Sequence, residues 1–132
     1  MSGVPAGGKH ILADLYGVAA GTLRDCRRLE ELLRGAAFSA GARVLGSHFH
    51  SFGAEEGVTG VVLLAESHIS IHTWPESGFA AADIFMCGAA HPEQALTFLI
   101  AALAPTHQRV EKAGRGLGAT EPEPLTQDLS GQ

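Results

Sequence analysis

Positions 66 to 87 bring together a hydroxyl at Ser67, imidazoles at His68 and His72, a carboxylate at Glu76 and a thiol at Cys87. Most of these groups fall in one run, Glu66-Ser-His-Ile-Ser-Ile-His-Thr-Trp-Pro-Glu76. A serine close to imidazoles suits a nucleophile with its base, although no Gly-x-Ser-x-Gly elbow surrounds Ser67. A second pattern is His48-Phe-His50 with Glu55 beyond it, two imidazoles on one strand face followed by a carboxylate. That set is close to the metal ligands of cupin-like barrels, yet the chain offers too few strands for a jelly roll. A third reading has all these histidines hydrogen-bonded within a polar sheet face. Spacing alone leaves the three open.

The groups need strands to position them. Val58–Ala65, His68–Trp74 and Phe79–Cys87 are strand-like runs separated by short turns, which favours antiparallel neighbours. Alternation puts His68, Ser70, His72 and Trp74 on one face and Ile69, Ile71 and Thr73 on the other, with Ser67 at the strand's mouth. His10–Tyr16 and Arg43–Phe52 read as two further strands, and His107–Lys112 as one more. From Leu23 to Ala40 apolar residues recur at helical spacing, with Thr22 and Asp25 as a capping-box-like start and Gly41 as the stop. Cys26 falls on the apolar stripe of that helix, whereas its arginines lie on the outer face. His91-Pro92-Glu93 opens a second helix that ends at Pro105. Residues 1–112 therefore form a single domain of α+β class, a two-layer α/β sandwich with an antiparallel sheet and helices on one face. The uncovered face predicts a homodimer with sheets back to back. From 113 to 132 the composition turns to Gly, Pro, Thr, Gln and acids without period, as in a mobile tail.

Composition narrows the function. Of 132 residues 45% are hydrophobic, which excludes disorder for the bulk of the chain. Nine Lys and Arg against 14 Asp and Glu leave a net charge of −5, which argues against nucleic acid as a partner. Two cysteines make no disulfide framework and favour a reducing compartment. The Gly- and Pro-rich start lacks the apolar core of a signal peptide, and the apolar stretches are too short for a bilayer about 30 Å thick. A cytoplasmic protein is expected, with no membrane partner.

Five blocks occur in order: Gly8-Lys-His-Ile-Leu-Ala-Asp-Leu-Tyr-Gly17, Phe49-His-x-Phe52, Gly57-Val-Thr-Gly-Val-Val62, Glu66-Ser-His-x-x-Ile-His-Thr-Trp-Pro-Glu76 and Asp83-x-Phe-x-Cys-Gly88. Together they resemble the short prokaryotic S-adenosylmethionine decarboxylase proenzymes over roughly residues 8 to 104.

That resemblance implies a pyruvoyl enzyme that makes its cofactor from its own backbone. The Ser67 hydroxyl would attack the Glu66 carbonyl, splitting the chain into 1–66 and 67–132, the latter beginning with a pyruvoyl group. His72 matches the processing histidine, an imidazole able to exchange protons near neutrality. Thr59 stands where the family usually has a serine that assists processing. In turnover the ketone would form a Schiff base with the substrate amine, and Cys87 would return a proton to the α-carbon. Glu76 matches a glutamate that holds the ribose hydroxyls, and Phe52 an aromatic that stacks on adenine. The connection from Phe52 to Thr59 is one residue longer than usual. Trp74 fixes the strand end, and His48, His50 and His68 are structural or support the residues that touch the substrate. The implied product donates aminopropyl groups to spermidine, the implied assembly has two chains of each kind, and no metal is required. Relatives of the family decarboxylate arginine or ornithine, but Glu76 and Phe52 favour a nucleoside-bearing substrate. The alternative from another class is a metal-binding protein built on His48 and His50.

Overall fold

A computed structural model describes residues 7–116. Six strands form one antiparallel sheet: β1 (Gly7–Tyr16), β2 (Val44–Ser51), β3 (Val58–Leu64), β4 (Ser67–Trp74), β5 (Phe79–Cys87) and β6 (His107–Gly116). Their spatial order is β2-β3-β4-β5-β1-β6. Helices α1 (Ala20–Leu23), α2 (Cys26–Ser39) and α3 (Pro92–Leu103) complete the chain. The expected α+β class holds, with α2 and α3 packed on one face of the sheet.

Strand alternation builds the core. Ile11, Ala13 and Leu15 of β1, Ile69 and Ile71 of β4, and Ala80, Ala82, Ile84 and Met86 of β5 are all buried. They meet Leu29, Leu32, Leu33, Ala36 and Ala37 of α2 and Ala95, Leu99 and Leu103 of α3. Among the described residues nothing covers the opposite face, on which Leu12, Leu63 and Trp74 are exposed. On it Trp74 stacks on Phe79 and Phe79 on Tyr16, with ring centroids 5.2 Å apart in each pair.

Two local expectations change. The helix expected from Leu23 begins at Cys26, and its cap is Asp25, whose Oδ1 accepts the Arg28 N–H at 3.0 Å. Thr22 instead belongs to the separate turn α1. Asp25 wins because its short carboxylate reaches an otherwise unpaired first-turn amide. The last strand also runs past Lys112 to Gly116, pairing with β1 as far as Gly7. Residues 113 to 116, expected as tail, are thus sheet. Backbone pairing to a long neighbour holds them where side-chain periodicity gave no signal. The rest of that expected tail lies outside the described residues.

Candidate active site

β3 and β4 are joined by a two-residue turn, Ala65-Glu66, with Leu64 facing Ser67 in the ladder. Glu66 has φ 63°, a left-handed conformation that costs a residue with a Cβ about 1–2 kcal/mol. The next residue supplies the hydroxyl. Ser67 Oγ accepts the Cys87 N–H at 3.3 Å and donates to the Ala65 carbonyl at 3.4 Å. Ser67 and Cys87, far apart in sequence, are therefore joined at one end of the sheet. Gly8, opposite Cys87 on β1, leaves them room: a Cβ there would lie 3.1 Å from Cys87 Sγ and 2.6 Å from Phe85 Cε1.

At the other end of β3 and β4, Thr59 faces His72, and Thr59 Oγ1 shares a 3.0 Å hydrogen bond with His72 Nδ1. Beside them opens a cavity of about 410 Å³ lined by Phe52, Glu56, Thr59, His72, Trp74 and Glu76, among others. That volume is within the range of small-molecule sites. The Phe52 ring packs edge-on against His50, with centroids 4.6 Å apart, and the Phe52 N–H donates to the Gly57 carbonyl at 3.0 Å. Below the cavity, Thr73 is buried. Its hydroxyl donates to the Leu23 carbonyl at 2.6 Å and accepts the Val58 N–H at 2.9 Å. The longer Phe52–Thr59 connection thus still leaves the Phe52 ring in the pocket.

The sequence-derived site residues therefore fall into two groups. The Cys87 backbone amide and Ser67 Oγ are together, and Phe52, Thr59, His72 and Glu76 are together. Ser67 and His72 are not. Five strand positions separate them, about 16 Å at 3.3 Å per residue, and an odd separation turns their side chains to opposite faces. His48 and His50 line up on β2, but Glu55 turns away to Arg24, with Oε1 3.6 Å from Nη1. Among the described residues no three His, Cys, Asp or Glu side chains gather to hold a metal. His68 packs with Phe85 and His10 on the uncovered face. Cys26 is partly buried against the core, and burial raises its thiol pKa, with Glu30 and Asp25 adding to the effect. Such a thiol is a poor nucleophile.

Four lining residues, Glu56, Gly57, Thr73 and Trp74, escaped the sequence reading. Trp74, expected to fix the strand end, also walls the cavity, and its alternation with His72 on β4 was a usable signal. Glu56 enters from the turn after Phe52, where no periodicity marks which of two adjacent glutamates faces inward.

The same arrangement has counterparts among known proteins. The sequence profile described as S-adenosylmethionine decarboxylase matches residues 9–116. An S-adenosylmethionine decarboxylase proenzyme of Persephonella marina is 47% identical over 110 residues, covering 83% of this chain and 82% of that protein. The proenzyme of Aquifex aeolicus is 45% identical over 117 residues, covering 88% and 84%. A crystal structure of the adenosylmethionine decarboxylase from Aquifex aeolicus superposes with a TM-score of 0.75 at 42% identity, covering 92% of this chain and 98% of that one. Sequence blocks, sheet and helices agree over nearly the whole length, and the chain belongs to the S-adenosylmethionine decarboxylase family.

Proposed function

We propose that Ser67 is converted to a pyruvoyl group by self-cleavage after Glu66, and that two copies of the chain pair to complete each site. Family membership gives the overall activity, decarboxylation of S-adenosylmethionine. The observation that carries the proposal is the separation of Ser67 and Cys87 from Thr59 and His72.

The residues at the hairpin fit the cofactor. A hydroxyl follows a carbonyl at a strained turn, and the Cys87 amide holds its oxygen. Ser67 Oγ adds to the Glu66 carbonyl carbon, the C–N bond between the residues breaks, and an ester joins them. Removal of the residue 67 α-proton, with departure of the ester oxygen from Cβ, frees the Glu66 carboxylate. Water then releases the nitrogen as ammonia. A pyruvoyl group supplies a ketone that takes up the substrate amine and draws electrons as carbon dioxide leaves. Cys87, whose backbone amide meets Ser67 Oγ, would give the α-carbon its proton, as the family resemblance implies.

Processing needs a base within hydrogen-bond reach of the reacting proton. His72 of the same chain lies too far away and on the other face, so the base is His72 from a second copy, oriented by Thr59. The uncovered sheet face, with Leu12 at 40%, Leu63 at 52% and Trp74 at 42% exposure, supports that pairing. Glu76 offers two acceptor oxygens for the ribose hydroxyls, and Phe52 a face for adenine.

Mixing variants tests this. Ser67→Ala and His72→Ala chains, expressed separately, each remain intact at 13.7 kDa. When they are co-expressed with different tags, the His72→Ala chain splits after Glu66 and the Ser67→Ala chain stays whole. No cleavage in the mixture, or cleavage of His72→Ala on its own, refutes the shared site.

A further inference from the structure

We infer that Glu56 is a specificity-determining residue of the substrate pocket: its carboxylate faces the fixed positive charge of a sulfonium nucleoside and disfavours the neutral thioether. This rests on the substrate reading of the cavity given above.

The turn that carries Glu56 is built to hold it there. The Glu56 N–H donates to the Gly53 carbonyl at 3.1 Å, closing the turn beneath the Phe52–Gly57 hydrogen bond. Gly53 has φ 147°, and a Cβ on it would meet Glu56 Cγ at 2.9 Å, so the side chain folds over a position that only glycine leaves open. Glu55 instead pairs at the surface with Arg24, Oε1 3.6 Å from Nη1, and is not among the residues that line the cavity. Glu56 lines the cavity and has no cationic partner among the described residues.

The chemistry then separates the two pocket carboxylates. A ribose diol is satisfied by one of them, the role given to Glu76. Among the described residues no lysine or arginine lines the cavity, so the second leaves a negative potential between the aromatic walls of Phe52 and Trp74. A permanent sulfonium cation answers both the carboxylate and the ring faces. A thioether of the same shape answers neither.

The test uses mature, cleaved enzyme. KM and kcat for S-adenosylmethionine are measured beside competitive Ki values for 5′-methylthioadenosine and its S-methylated sulfonium. Glu56→Gln raises KM and the sulfonium Ki together about three- to fivefold, the upper range of one exposed charge contact. Its kcat and the thioether Ki stay within about twofold, and the sulfonium difference shrinks as salt is added. Glu55→Gln leaves both Ki values in place. Equal weakening of both nucleosides, no weakening, or the same selectivity loss in Glu55→Gln overturns the inference. Glu76→Gln separates this failure from a failure of the pocket reading. Both Ki values unchanged in that variant reject the pocket itself; both raised, with Glu56→Gln unselective, rejects only the role of Glu56.

Discussion

The hairpin end and the cavity end of β3 and β4 are held by different means. At the hairpin, backbone does the positioning: a left-handed Glu66, an amide from Cys87 on Ser67 Oγ, and a glycine at position 8 that keeps space for the thiol. At the cavity, side chains do it: Thr59 on His72, His50 against Phe52, and a stack from Trp74 through Phe79 to Tyr16. The proposed self-cleavage would tolerate little error in the angle between a hydroxyl and its neighbouring carbonyl, a rigidity that backbone supplies. The proposed nucleoside recognition would need varied surfaces, which side chains supply. Under that proposal neither end holds a full set of reacting groups.

The largest effect that sharpens this division falls on the hairpin. Cys87→Ala keeps the backbone amide that holds Ser67 Oγ, so cleavage after Glu66 proceeds and two fragments appear by mass spectrometry. Turnover falls about 10²- to 10⁴-fold, the usual contribution of a positioned general acid. Carbon dioxide release at the unsubstituted rate would remove the thiol from the reaction and leave the hairpin with cleavage alone.

A smaller effect probes the cavity end through its floor. Thr73→Val keeps the shape but removes the donor to the Leu23 carbonyl and the acceptor for the Val58 N–H. Two buried backbone groups lose their partner, at a cost of about 1–3 kcal/mol. Urea unfolding of the Ser67→Ala background, which stays one chain, measures it. A change below about 0.5 kcal/mol would mean that α1 and β3 do not depend on this hydroxyl.

The division itself was only half legible in the sequence. Period-two alternation placed His72 and Trp74 on one face, apart from Ile69 and Ile71, and apolar periodicity found α2 and α3, because both signals are local. The helix start was misjudged because Thr22 and Asp25 are both good caps, and tertiary contacts decide which one is used. Gly114 and Gly116 carry no side-chain pattern, so the end of β6 was visible only in its pairing with β1. Resemblance put Ser67, His72 and Cys87 into one mechanism, but five positions along a strand keep Ser67 and His72 apart. Motif proximity is not spatial proximity, and the face of a strand is decided by parity.

The smallest effect concerns His10, on the uncovered face near the hairpin end. Its side chain is 17% exposed, and Nδ1 lies 3.0 Å from Arg115 Nη1. Guanidinium only donates, so Nδ1 accepts and the proton sits on Nε2, which is buried and has no hydrogen-bond partner among the described residues. Burial is the main cause that lowers the His10 pKa below 6.5; Asp83, 4.0 Å away, opposes the shift, while Arg115 and His68 reinforce it. Above pH 6.5 the imidazole is neutral in both the folded and unfolded chain and adds no slope. As pH falls below 6.5 the unfolded chain takes up a proton that the folded chain resists, so stability drops until the lowered folded value is passed. His10→Gln abolishes that increment. The urea midpoint of Ser67→Ala should therefore fall more between pH 7.5 and pH 5 than that of Ser67→Ala/His10→Gln. With seven histidines in the chain, only this difference is diagnostic. Equal slopes would remove His10 as a source of the acid sensitivity.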